Sequence, residues 1–145
     1  TWPHDIRVAV NLSPLQFKGG SLVAAVKDGL AASGLQPGRL ELEITESVFL
    51  QDSKSTCMVL AQLGNLGVKI SMDDFGTGYS SLSYLRSFPF DKIKIDKSFI
   101  RDLSTSQRRV GIVRAVCELA RSFGASTAAE GVETDDQVTR IRAEG

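Results

Sequence analysis

The sequence predicts an α/β fold and, within that class, a TIM-type (β/α) barrel. Short stretches of alternating apolar and polar residues recur along the 145-residue chain, separated by longer stretches with apolar residues at three- and four-residue steps. Strands that alternate with helices in this way pair in parallel through right-handed crossovers. Every predicted strand keeps one small or polar face, which favours a barrel over an open doubly wound sheet with strands apolar on both faces.

The predicted strands share the alternation and end in a polar residue. In the first strand, for example, Val8 and Val10 oppose Ala9 and Asn11. The five strands are expected at residues 6–11, 40–45, 68–73, 91–96 and 125–130. A closed barrel needs about eight such units, so either units are missing at both ends or the five form a partial sheet. No linker divides residues 1–145 into two domains.

The predicted helices are marked by caps and by glycine or proline at their ends. The first begins at Ser13-Pro14 and runs to Gly34, with a break at Gly19-Gly20. The others are expected at residues 53–66, at 81–87, from a cap at Ser104 or Ser106 to Gly124, and from a cap at Thr134 onward.

Composition excludes several classes of function. Seventeen basic residues balance 17 acidic ones, so no electrostatic argument supports a DNA partner or an anionic membrane surface. Cys57 and Cys117 lack CxxC spacing and His4 is the only histidine, so the sequence supports neither a zinc site nor a disulfide framework. No apolar run approaches the roughly 20 residues of a membrane span, and no signal peptide is visible, so we expect a cytoplasmic protein.

Polar side chains stand at the carboxyl end of each predicted strand, where barrel enzymes carry their catalytic groups. They are Asn11, Glu43, Asp73 with Asp74, Lys94, and Glu130. Carboxylate and amide oxygens without His or Cys suit Mg²⁺, Mn²⁺ or Ca²⁺. Two carboxylates about 5 Å apart repel by roughly 3 kcal/mol at an effective dielectric of about 20, so several at one mouth indicate a cation. Two ions bridged by one aspartate could support in-line displacement at phosphorus.

Each of these residues also has a purely structural interpretation. Asp73-Asp74 with the following glycines could be a capped turn, and Lys94 could be solvated, as Lys92 is expected to be. Adjacent aspartates on a strand are expected to face opposite ways, one into the barrel and one along its rim. For Glu41 a salt bridge is the favoured interpretation.

Five strings of residues, in order and spacing, resemble the bacterial EAL-domain family of cyclic di-GMP phosphodiesterases. They are Val10-Asn11-Leu12-Ser13, Glu41-Leu42-Glu43-Ile44-Thr45-Glu46-Ser47, Asp73-Asp74-Phe75-Gly76-Thr77-Gly78-Tyr79-Ser80-Ser81-Leu82, Lys94-Ile95-Asp96 and Ala129-Glu130-Gly131-Val132-Glu133. The resemblance covers nearly all of the chain. It implies a barrel, one or two Mg²⁺ or Mn²⁺ ions, and cleavage of cyclic di-GMP to the linear dinucleotide pGpG.

The resemblance also implies a role for each matching residue. Asn11, Glu43 and Asp73 match ligands of a first metal ion, and Asp73, Asp74 and Glu130 match those of a second ion or its water. Lys94 matches the lysine at the attacking water or phosphate, and Glu130 is a candidate base. Glu46 matches the residue that holds the glycine loop, and Thr77 within the loop is expected to help position it. The loop is also expected to take part in a homodimer contact. Glu133 matches an accessory acid.

Two departures from the family pattern shape the expectation for this chain. The Glu-Ala-Leu signature, with its metal-ligating glutamate, would lie upstream of residue 1, and a closing Gln-Gly-Tyr segment is missing. We therefore expect residues 1–145 to be a domain fragment, inactive alone, whose activity and regulatory domains belong to the parent protein. The alternatives are a catalytically silent cyclic di-GMP receptor or protein-interaction module and, on fold analogy alone, another metal-dependent barrel enzyme.

Overall fold

Five parallel strands form one sheet whose spatial order follows the order of the chain. The computed structural model describes residues 6–50, 53–77, 85–86, 88–103 and 105–145. The strands are β1 (Val8–Leu12), β2 (Leu40–Thr45), β3 (Lys69–Phe75), β4 (Lys92–Ile95) and β5 (Ser126–Ala129). Each strand pairs with the next one in sequence, as in an arc of a barrel. In a doubly wound sheet, the spatial order of the strands would instead reverse at a switch point.

In the described part of the chain, helices lie between β1 and β2, between β2 and β3, and between β4 and β5, and one more follows β5. They are α1 (Leu22–Ser33), α2 (Ser53–Asn65), α3 (Lys97–Ile100), α4 (Gln107–Ser122) and α5 (Asp135–Glu144). Short 3-10 helices occupy Pro14–Lys18, Pro37–Arg39 and Glu46–Phe49. Within the described ranges, no helix is long and apolar enough to cross a bilayer.

The predicted elements agree closely with this architecture. The second strand has the predicted bounds. The first predicted helix is divided at Gly19-Gly20, as expected, and α1 ends at Gly34, which adopts a left-handed φ of 65°. Ser106 is the cap of α4 and Thr134 that of α5, whereas Ser104 lies outside the described residues. Most of the predicted 81–87 helix also lies outside them.

The apolar face of the sheet packs against the helices and forms the core. Strand residues Leu42, Ile70 and Ile93 are at most 1% exposed, and Leu63 of α2 and Val113 of α4 are fully buried against the same cluster. Burying an aliphatic side chain of this size contributes about 1.5–3 kcal/mol. The core therefore fixes which face of each strand is left for polar residues.

The other face of the sheet carries charged residues in two layers. In the lower layer, toward the start of the strands, Lys92 lies 2.5 Å from Glu41 Oε1, and Arg7 lies 3.8 Å from Glu41 Oε2. The salt bridge predicted for Glu41 is confirmed. The prediction that Lys92 is solvated is wrong, because its side chain is 26% exposed and faces Glu41, which is 5% exposed. The upper layer, two residues later on each strand, contains Glu43 and Lys94.

Candidate metal and catalytic centre

Lys94 occupies the centre of the upper layer. Its ammonium nitrogen lies 2.7 Å from Glu130 Oε1, 3.0 Å from Asp73 Oδ1 and 3.0 Å from Glu43 Oε2. The lysine comes from β4, and its partners come from β2, β3 and the residue after β5. The register aligns neighbouring strands, and the polar face turns all four side chains inward. Residues distant in sequence therefore meet at the carboxyl ends of the strands.

The carboxylates keep Lys94 charged. Burial alone would disfavour the ammonium form, but hydrogen bonds to Glu130, Asp73 and Glu43 outweigh that effect and raise the pKa of Lys94 above its ordinary value. The lysine side chain is 14% exposed, as is that of Asp73. Lys94 can therefore act as a fixed positive charge and a hydrogen-bond donor, and it is unsuited to accept a proton near neutral pH.

Asp73, Asp74 and Glu130 form a compact group of possible metal ligands. One carboxylate oxygen from each residue lies within 4.8 Å of the others. Burial, followed by the charges of Asp73, Asp96 and Glu130, raises the pKa of Asp74. A site that resists the ionisation of its own carboxylate is one that a cation would stabilise. The all-oxygen donor set fits a hard divalent ion such as Mg²⁺ or Mn²⁺.

A β-bulge brings the two adjacent aspartates to the same site. The register between β3 and β4 shifts between Met72 and Phe75, so that β3 has one residue more than its partner over this interval. Asp74 has a left-handed φ of 52°, and its backbone nitrogen donates to Asp73 Oδ1 at 3.0 Å. The alternation predicted to separate Asp73 from Asp74 is broken here. Both carboxylates thus belong to the group that includes Glu130.

Glu46, from the segment after β2, and Thr77, within the loop that follows β3, both make hydrogen bonds at the start of that loop. Glu46 is 5% exposed and its Oε1 accepts a 3.1 Å hydrogen bond from the backbone nitrogen of Gly76. Thr77 donates its hydroxyl to the Asp74 carbonyl oxygen at 2.9 Å. These contacts fit the loop-positioning roles implied for both residues. The rest of the glycine loop, residues 78–82, lies outside the described residues.

Asn11 and Glu133 occupy more peripheral positions. Asn11 is the register partner of Glu43 across β1 and β2, and its side chain is exposed. Glu133 is also exposed, and its backbone nitrogen donates to Gln137 Oε1 at 2.7 Å. Asn11 is therefore adjacent to a centre residue, whereas Glu133 lies beside the cap of α5.

Two polar residues, one beside the centre and one at the start of α5, were not singled out as functional from the sequence. Asp96 accepts a 2.9 Å hydrogen bond from the Ser98 backbone nitrogen, caps α3, and lies close enough to Asp74 to raise its pKa. Gln137 is a buried polar residue, 6% exposed, and the third residue after the Thr134 cap. The Thr134-x-x-Gln137 spacing of a capping box was the available signal for Gln137.

Comparison with known proteins agrees with this architecture. Bifunctional diguanylate cyclase/cyclic di-GMP phosphodiesterase MucR of Pseudomonas aeruginosa is 45% identical over 133 residues, which are 92% of this chain and 19% of MucR. A solved PaMucR phosphodiesterase in complex with c-di-GMP matches with a TM-score of 0.89 and 43% identity, covering 96% of this chain and 56% of that one. Klebsiella pneumoniae BlrP1 with manganese and c-di-GMP matches with a TM-score of 0.88 and 35% identity, covering 96% and 36%.

These matches show that the five strands belong to a TIM-type barrel and that only part of each longer relative is matched. The chain spans about a fifth of the length of the curated relatives it matches. The family model described as EAL domain matches residues 1–145. The chain therefore belongs to the EAL domain family.

Proposed function

We propose that the protein carrying this chain hydrolyses cyclic di-GMP to the linear dinucleotide pGpG in a reaction that depends on a divalent metal ion. The observation that carries the proposal is the grouping of Lys94 with Glu43, Asp73 and Glu130 at the carboxyl ends of the strands. The names of MucR and of NbdA, a Pseudomonas aeruginosa cyclic di-GMP phosphodiesterase 44% identical over 137 residues, support this substrate.

Asp73, Asp74 and Glu130 would hold one Mg²⁺ or Mn²⁺ ion, and Asn11, Glu43 and Asp73 a second one. When bound, the ion supplies Lewis-acid stabilisation of charge at phosphorus and a water molecule of lowered pKa. The charge balance supports this assignment. Four carboxylates, those of Glu43, Asp73, Asp74 and Glu130, face the single ammonium group of Lys94.

Lys94 and Glu130 would have complementary roles in the reaction. Because its pKa is raised, Lys94 stays positively charged and can stabilise negative charge that develops on the phosphate oxygens. Three carboxylates contact Lys94, and the side chain of Glu130 is the most exposed of them, at 35%. It can therefore reach a water molecule at the substrate and accept its proton.

Glu46 and Thr77 would hold the start of the glycine loop in register with the centre. Both make hydrogen bonds to backbone atoms of residues 74–76, and neither belongs to the group of possible metal ligands formed by Asp73, Asp74 and Glu130. We also propose that this loop region contributes to a homodimer and that Glu133 is an accessory acid. The parent protein would act in the cytoplasm, and its regulatory domains would control turnover. The inactivity of residues 1–145 expressed alone stays a prediction.

The test uses the full-length protein that carries this chain. It is incubated with cyclic di-GMP and Mn²⁺, and the products are separated by chromatography. We expect pGpG from the unaltered protein and at least a 100-fold lower turnover from Glu130→Gln, which keeps the shape but removes the base. Glu118→Gln, the same change at an exposed position on α4, is the matched control and should leave turnover unchanged.

A catalytically silent receptor is the second candidate, because a site of this kind can bind a nucleotide without cleaving it. Binding of cyclic di-GMP without any pGpG would reject the phosphodiesterase in favour of the receptor. Absence of both binding and cleavage would leave a protein-interaction module.

A further inference from the structure

The short helix α3 touches both loops that carry candidate metal ligands. A Cβ atom added at Gly76, in the loop after Asp73 and Asp74, would lie 2.9 Å from the ring of Phe99. A Cβ atom added at Gly131, directly after Glu130, would lie 2.6 Å from Lys97 Cβ. Both glycines have a positive φ, at 92° and 67°. The two loops therefore pack directly against α3, which itself follows the strand of Lys94.

Gln137 links the same helix to the segment that follows Glu130. Its Oε1 accepts hydrogen bonds from the backbone nitrogens of Glu133 at 2.7 Å and Thr134 at 3.1 Å. Its Nε2 donates to the carbonyl oxygens of Ile100 at 3.2 Å and Arg101 at 3.3 Å, at the end of α3. The two acceptor sites and two donor hydrogens of the buried amide are thus all used.

A helix cap alone does not account for this pattern. In a capping box the third residue needs only an oxygen that accepts from the cap backbone, so glutamate would serve as well as glutamine. Only the amide can also donate to two carbonyl groups of another element. The bonds made by Nε2 are therefore additional to the cap of α5, and they join Gln137 to residues 36 and 37 positions earlier in the sequence.

We propose that Gln137 is a positioning residue that holds the segment after Glu130 against α3 and thereby sets the distance between Glu130 and the Asp73–Asp74 pair. The proposal rests on the proposed function in one respect, that these three carboxylates bind a divalent ion. Partners that orient ligands in this way typically change metal affinity by 10- to 100-fold when altered.

The test compares two variants of the full-length protein. Gln137→Glu keeps the oxygen that accepts from Glu133 and Thr134 but places a carboxylate oxygen against the two carbonyl groups of α3. Thr134→Ala is the matched control, because it removes the hydroxyl that accepts from the Gln137 backbone nitrogen and leaves the link to α3 intact. Mn²⁺ affinity is measured by electron paramagnetic resonance without nucleotide, and amide exchange of residues 99–103 is followed in metal-free protein.

We expect Gln137→Glu to raise the Kd for Mn²⁺ at least 10-fold and to speed exchange in residues 99–103, while Thr134→Ala changes the Kd less than twofold. Equal changes of Kd in both variants, or none in either, would overturn the positioning role. If the unaltered protein binds no Mn²⁺, the proposed function is rejected. Faster exchange in Gln137→Glu would then show that Gln137 is a structural link only. If Gln137→Glu does not fold, Gln137→Met replaces it with the same expectations.

Discussion

Replacing Lys94 with methionine should make the stability of the protein depend on the metal ion. Methionine is unbranched and only one atom shorter than lysine, but it lacks the charge that lies within 3.0 Å of Glu43, Asp73 and Glu130. Removing one partner from a buried ionic cluster costs about 3–5 kcal/mol. Because Glu130 is 35% exposed and partly screened by solvent, we expect the lower end, about 3 kcal/mol, in metal-free protein.

The pH dependence of this loss has a defined sign. Lys94 lowers the pKa of Asp74, which burial and neighbouring carboxylates already raise, so the substitution should raise it further. A carboxylate whose pKa is higher in the folded state binds more protons there, and its cost to stability disappears as the pH falls below that pKa. The deficit of Lys94→Met should therefore be largest near neutral pH and shrink as the pH falls toward the ordinary range of an aspartate.

The assay is urea denaturation followed by circular dichroism, with EDTA and with Mn²⁺, at several pH values. Lys27→Met, at an exposed position of α1, is the matched control and should change stability by less than about 0.5 kcal/mol. We expect Mn²⁺ to restore most of the stability of Lys94→Met and none of its turnover. A deficit equal to that of Lys27→Met, or one that Mn²⁺ leaves untouched, would refute the assignment of the cluster as a metal centre.

Three further predictions concern the surroundings of the centre. Glu46→Ala should raise the Kd for Mn²⁺ about 10-fold or more by calorimetry, because the start of the glycine loop loses its buried acceptor; an unchanged Kd would contradict its loop-positioning role. Gly131→Ala should lower the unfolding free energy by about 1–3 kcal/mol in the same denaturation assay, because residue 131 has a positive φ and the new Cβ meets Lys97. Gly111→Ala, in open space on α4, is the control and should be neutral or stabilising by up to about 1 kcal/mol. Asp96→Ala should cost about 1 kcal/mol at pH 7 through loss of the α3 cap, and because hydrogen bonds to Ser98 lower the pKa of Asp96, this cost should vanish as the pH falls below about 4; a cost independent of pH would exclude the charged cap.

The strands and most helices could be predicted because their signals are local. The second strand alternates apolar and polar residues over its full length, and glycines end α1 and α4 where the chain turns left-handed. The helix α3 was missed because its four residues are too short to show a helical period. Its cap, Asp96, could be interpreted equally well as half of a surface ion pair.

The centre was only partly predictable. Parity along β4 indicates that Lys94 faces inward, but its three partners depend on the register of four strands, which sequence spacing does not specify. The alternation rule separated Asp73 from Asp74 because it assumes a regular strand, and the bulge at this point breaks that assumption. Gln137 satisfies a local capping pattern, so nothing in the sequence indicated its bonds to α3.

The two charged layers on the polar face of the sheet differ in sign. The lower one sets two cations, Arg7 and Lys92, around one carboxylate, Glu41. The upper one gathers several carboxylates around Lys94. The polar face therefore has an electric dipole along the direction of the strands, with its negative end at their carboxyl termini. Such a dipole would draw divalent cations to that rim and repel them from the opposite one, so it would guide an ion toward the proposed ligands Asp73, Asp74 and Glu130 before any direct contact.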